Sequence, residues 1–193
     1  DSVRHAITKL SHIHFATNKR SYQNIINLGE EKWRTFNVGL PINDIIYNKS
    51  FADYQTLQRK FKLDNNNPLI ILTQHSVTTE PQNSKKQIKN ILKALKYFIK
   101  KHNCDVIATY PNNDIGSNDI ILEIEKFKKK NKNFYIYKSL GNYYYHSLMN
   151  LRSVKNVVVV GNSSSGIKEA IAFKCPVLNI GTRQNGRLKP KNV

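Results

Sequence analysis

A glycine- and serine-rich string, Gly161-Asn162-Ser163-Ser164-Ser165-Gly166, directly follows the valine run Val157 to Val160. Glycine tolerates close backbone approach, and a serine caps a helix while its first N–H groups point outward. Such a helix start carries partial positive charge and binds phosphate. Glu169 lies about 7.5 Å beyond Ser164 at the rise of a regular helix. That reach suits a single ligand, with its pyrophosphate on the serines and its ribose hydroxyls on the carboxylate. A plain polar cap with a solvent-facing Glu is the simpler account, but the acidic residue at this spacing favours ligand binding.

Three further strings carry polar groups of suitable type. Gln74-His75-Ser76-Val77-Thr78-Thr79-Glu80 follows the apolar run Leu69 to Thr73, and its histidine can donate to phosphate or to a sugar hydroxyl. Taken alone, His75 reads equally well as a structural histidine. In Tyr110-Pro111-Asn112-Asn113-Asp114-Ile115-Gly116-Ser117, the side chains of Asn112 and Asp114 can bond ligand hydroxyls. By composition, though, this string is an ordinary Asx turn. In Gly181-Thr182-Arg183-Gln184, Arg183 can hold a phosphate with two parallel bonds, or it can be a surface arginine.

All four strings fall where a strand would hand over to the next element. Short apolar runs alternate with helical spacing along the chain, which predicts an α/β fold with a parallel sheet and crossover helices. Strands are expected near 13–17, 35–38, 69–73, 106–110, 134–137, 157–160 and 177–180. Helices are expected at 1–11, 21–28, 85–101, 118–130, 143–151 and 164–173. Asp1 is a candidate N-cap of the first helix. In the 85–101 helix Ile88, Ile91, Leu92, Leu95, Phe98 and Ile99 form one apolar face. The Gly39-Leu40-Pro41 turn divides two αβ series and sets the expected domain boundary. In open parallel sheets ligands bind at the carboxyl ends of the strands, so the four strings converge on one candidate site.

The net charge of +18 raises nucleic acid as a partner. However, the lysines of 85–101 and 126–132 alternate with apolar helical positions, and no arginine stands among them. A solvated lysine face accounts for that pattern, and no nucleic-acid partner is expected. Cys104 and Cys175 lie in apolar segments without metal-ligand spacing, so they read as small buried hydrophobes and no metal site is expected. No apolar run is long enough to cross a bilayer, and the default is a cytoplasmic protein with no membrane partner.

These stretches, with Asp1-Ser2-Val3-Arg4-His5-Ala6-Ile7-Thr8-Lys9-Leu10 and Pro176-Val177, resemble the UDP-N-acetylglucosamine 2-epimerase family, in particular its hydrolysing branch. The resemblance covers nearly the whole chain. It implies two Rossmann-like domains with parallel sheets, of the glycosyltransferase-B-like kind, with the active site in the cleft between them. Residues 1–38 would end a first domain that is mostly missing, and 39–193 would form most of a UDP-binding second domain.

By the same resemblance His75 and Asn112 contact the nucleotide sugar and Asp114 lies with them. Lys138, Ser139 and Leu140 border the uracil, Ser163, Ser164 and Glu169 hold diphosphate and ribose, and Arg183 contacts UDP. Asp1 matches one of a pair of acidic residues and, with His75, is a candidate catalytic residue. Its other reading, as N-cap, is compatible. Ser76 stands where the family commonly has Pro and Ser165 where it often has Cys, and neither falls on a proposed contact.

The implied activity eliminates UDP from UDP-N-acetylglucosamine and adds water, giving N-acetylmannosamine for sialic-acid-type synthesis. No cofactor is required. The partners are a UDP-sugar and further copies of the chain as a homo-oligomer. The fragment alone is expected to be inactive. A non-hydrolysing 2-epimerase and a UDP-sugar glycosyltransferase are the alternatives.

Overall fold

The computed structural model describes residues 2–48 and 50–193. Asp1, both as N-cap and as carboxylate, lies outside the described residues. Contacts divide the chain into two compact units, residues 1–49 and 50–193, so the Gly39–Pro41 turn falls inside the first unit.

In the first unit, α1 (Ser2–Leu10), β1 (His14–Ala16), α2 (Lys19–Asn27), β2 (Thr35–Asn37) and α3 (Ile42–Tyr47) follow one another, and β1 pairs with β2 in parallel across α2. Asn18 caps α2 by accepting the Ser21 N–H at 2.8 Å. The unit's buried carboxylate, Glu30, is gripped by Lys9 Nζ at 2.9 Å, Arg34 Nη2 at 2.6 Å and His14 Nε2 at 3.2 Å. Pairing with Lys9 holds its carboxyl below the usual carboxylate range against the opposing effect of burial.

The second unit is a parallel sheet sandwiched between helices. After α4 (Tyr54–Phe61) come β3 (Leu69–Thr73), α5 (Ser84–His102), β4 (Asp105–Thr109), α6 (Ser117–Lys128), β5 (Phe134–Tyr137) and α7 (Gly141–Asn150). β6 (Val157–Gly161), α8 (Ser164–Lys168) and β7 (Val177–Asn179) complete it. The strand order is β5-β4-β3-β6-β7, every pair parallel. The chain therefore builds outward from β3 to one side and then returns to build on the other, making β3 and β6 the switch point.

All residues of β3 are buried, as expected of a central strand covered on both faces. Ile70 and Leu72 pack with Ile88, Ile91, Leu92 and Leu95 of α5 and with Ile120 and Ile124 of α6 in one cluster. On α4, Leu57 and Phe61 are fully buried, each worth about 1.5–3 kcal/mol of burial. The ring of Phe61 meets those of Tyr137 and Tyr144 edge-on.

Three differences from the sequence reading have local causes. The spacing gives no account of α3 or α4, although Asp53 caps α4 by accepting the Thr56 N–H at 2.7 Å. Phe98 is not core: it is 48% exposed, because at 3.6 residues per turn it lies about 80° from Ile88 around the helix. The expected 164–173 helix ends at Lys168 and resumes as a 3-10 turn over Ala170–Phe173. Between them Glu169 sits at φ −112°, away from regular helical values, where its carboxylate reaches His146.

Candidate functional site

The carboxyl ends of β3 and β6 meet without any gap. Thr73 and Gly161 are register partners, and Gly161 has φ +128°. A Cβ at Gly161 would lie 2.0 Å from the Thr73 carbonyl oxygen, so only glycine fits. The next residue, Asn162, donates its N–H to that oxygen at 3.1 Å.

The Asn162 side chain then pins the histidine loop after β3. Its Oδ1 accepts the His75 N–H at 2.7 Å and its Nδ2 donates to the His75 carbonyl at 2.8 Å. The Asn162 carbonyl in turn accepts from Gln184 Nε2 at 2.7 Å and from Arg183 Nη1 at 3.1 Å. One residue thus ties together the loops after β3, β6 and β7. Asn162 stands within the glycine- and serine-rich motif, where its residue type alone assigns it no role. The available signal was an Asx residue after a strand, which habitually bonds the main chain.

His75 is buried, with its Nδ1 accepting the Asn112 N–H at 3.0 Å. That bond keeps Nδ1 unprotonated and puts the ring proton on Nε2. Burial, with Arg183 adding to it and Asp114 opposing, brings the pKa down from 6.5 to about 4. The ring is neutral at pH 7, and its remaining polar group is a donor.

His75 lines a concavity of about 440 Å³ together with Asn112, Lys138, Ser139, Leu140, Ser163 and Glu169. Asn112 also borders a second concavity of about 570 Å³, whose lining includes Asp114 and Arg183. The candidates of the second unit, Ser164 excepted, therefore gather in two neighbouring hollows at the carboxyl edge of the sheet. Ser164, the first residue of α8, borders neither. Burial lowers the pKa of the Arg183 guanidinium, Arg187 adds to that and Asp114 opposes it. Lys138 and Ser139 are exposed, and Leu140 is buried beneath them.

The floor of the first hollow is a set of hydroxyls. Ser163 Oγ lies 2.9 Å from Ser165 Oγ, which lies 2.9 Å from the Tyr145 hydroxyl. Alongside, Thr73 Oγ1 and Thr109 Oγ1 are 2.7 Å apart. Burial pushes the Tyr145 phenol up to about 12, so it stays protonated. Ser165, a departure outside the expected contacts, lines this hollow, while Ser76 is turned inward and donates to the Ile115 carbonyl at 2.6 Å.

Ser163 also caps α8, accepting the Ser165 N–H at a long 3.4 Å. With α8 only five residues long, few peptide dipoles add up at its start. At the far end of α8, Glu169 Oε2 accepts from His146 Nε2 at 2.8 Å. Neither Tyr145 nor His146 was singled out from the sequence, because both sit inside what reads as one more apolar helix.

A Campylobacter jejuni protein named GDP/UDP-N,N'-diacetylbacillosamine 2-epimerase (hydrolyzing) is 35% identical over 194 residues, spanning 100% of this chain and 49% of its own length. The UDP-N-acetylglucosamine 2-epimerase of Neisseria meningitidis is 31% identical over 193 residues, spanning 100% and 48%. The chain spans about half the length of the curated relatives it matches.

Among solved structures, the Neisseria meningitidis UDP-GlcNAc 2-epimerase bound to UDP-GlcNAc superposes with a TM-score of 0.71 at 19% identity, covering 92% of this chain and 47% of that one. The S. aureus MnaA–UDP co-structure gives 0.69 at 18%, covering 93% and 44%. These likenesses bear out the expected α/β, glycosyltransferase-B-like fold. The family described as UDP-N-acetylglucosamine 2-epimerase matches residues 1–193, and the chain belongs to it.

Proposed function

We propose that this chain supplies the nucleotide-gripping part of a hydrolysing UDP-sugar 2-epimerase, with the first compact unit ending one Rossmann-like domain and the second, residues 50–193, forming most of another. The substrate is UDP-N-acetylglucosamine or a diacetamido relative, and the free sugar enters sialic-acid-type synthesis. One observation carries the reading: His75, Asn112, Ser163 and Glu169 converge on a single hollow where the strand order reverses.

In the proposed reaction a carboxylate takes the C2 proton. The C2–H electron pair forms a C1–C2 double bond, and UDP leaves C1 with its bonding pair. Water then adds at C1 and a proton returns to the opposite face of C2, so that substrate plus water becomes UDP plus the epimerised sugar. The neutral His75 donates Nε2–H to the departing diphosphate, helped by the Ser163 hydroxyl and by the charge of Arg183. Asn112 and Asp114 take sugar hydroxyls, Glu169 takes the ribose, Ser164 offers its N–H, and Lys138, Ser139 and Leu140 edge the uracil. Asp1 is one of the proton-moving carboxylates.

Incubating the complete protein with UDP-N-acetylglucosamine and with its diacetamido analogue tests the proposal. Release of UDP together with the free 2-epimer supports it, and intact substrate in both cases sinks it. The Neisseria relative, named simply UDP-N-acetylglucosamine 2-epimerase, favours a second reading in which the product keeps its UDP. Chromatography of the sugar product separates the two.

A further inference from the structure

We propose that His146 is a positioning residue of the nucleotide site: it occupies one oxygen of Glu169 and so holds the other in place for a ribose diol. The inference rests on the nucleotide reading above. His146 is 1% exposed and stands behind Glu169, which lines the hollow while His146 does not. Its Nε2 is 2.8 Å from Glu169 Oε2, and its ring lies against Phe173 with centroids 5.5 Å apart. A carboxylate accepts, so Nε2 is the donor, and the ring is left with Nδ1. That Nδ1 is buried with no partner among the described residues.

A buried polar nitrogen without a partner weakens the fold, and an aliphatic side chain would fill the same place without that cost. What the imidazole adds is the bond to Glu169. Glu169 needs such a bond, because it sits at the break between α8 and the 3-10 turn and has flexible side-chain torsions. With Oε2 engaged, Oε1 keeps its lone pairs for two adjacent hydroxyls. A carboxylate left to swing would meet that diol only after being ordered on binding.

Calorimetric titration with UDP and with 2′,3′-dideoxy-UDP tests this on the unsubstituted chain, His146→Leu and His146→Gln, with far-ultraviolet dichroism to confirm folding. His146→Leu is expected to weaken UDP binding about tenfold and to leave dideoxy-UDP unchanged, since the lost bond ends on a charged group. His146→Gln, which restores a donor, is expected to recover most of the loss. Should His146→Leu not fold, His146→Phe is read in its place. Equal weakening of both nucleotides, or none of either, overturns the inference and leaves the nucleotide reading standing. Absence of UDP binding by the unsubstituted chain removes that reading and this inference with it.

Discussion

Acidifying the protein should expose the chemical state of His75. With the ring held by the Asn112 N–H and desolvated at the edge of the sheet, its pKa in the folded chain is about 4, against 6.5 when unfolded. Above pH 6.5 neither state binds the extra proton, so His75 adds nothing to the pH dependence. Below 6.5 the unfolded chain takes up a proton that the folded chain refuses, and stability falls by about 1.4 kcal/mol per pH unit. By pH 4 the loss attributable to this one ring reaches about 3 kcal/mol.

Urea unfolding across pH 4–7 measures the fall. His75→Asn, which offers a non-titrating acceptor at similar reach, removes this ring's share from that of all the other groups. The His75 Hε1 resonance should titrate well below pH 6 in the free protein and move upward when UDP is bound, because a diphosphate beside Nε2 favours the imidazolium. A free-protein midpoint near 6.5, or the same pH slope for His75→Asn, refutes the reasoning.

Gly161→Ala forces a Cβ into the Thr73 carbonyl and should lower stability by at least about 3 kcal/mol, seen as a lower melting temperature. An unchanged melt contradicts the close contact. Asn162→Ala leaves the His75 N–H and carbonyl without their partners, a loss of about 2–5 kcal/mol that denaturant titration detects, and UDP binding should fall with it. Tyr145→Phe removes the hydroxyl bonded to Ser165 and should change stability by only about 1 kcal/mol while weakening UDP binding measurably in calorimetry. Unaltered binding would detach the hydroxyl floor from the ligand.

Much of the second unit was legible because its strands are short runs of apolar and aromatic residues with abrupt ends. Leu69–Thr73 and Phe134–Tyr137 were bounded to the residue, since Pro68 and Gln74 fence the first and Asn133 and Lys138 the second. α4 was not legible: Leu57 and Phe61 are its only fully buried positions, and the surrounding polar residues hide the pattern that Asp53 announces. The site divides the same way. His75, Asn112 and Ser163 stand just past strand ends, where position alone marks them, and Glu169 is marked by its spacing from the serines at the end of α8. Asn162 meets His75 across 87 residues, and His146 meets Glu169 across 23, so both pairings exist only once the sheet has formed.

The bond from Asn112 to the His75 ring comes from a peptide N–H and not from a side chain. Nearly any residue at position 112 can therefore leave the imidazole in the same tautomer, and proline, which has no N–H, is the exception. The exposed side chain at 112 is thus free to be altered for a different sugar while the histidine's protonation state is kept. Under the proposed function, enzymes of different acetamido preference could arise by changes there without disturbing the ring proposed to meet the leaving group.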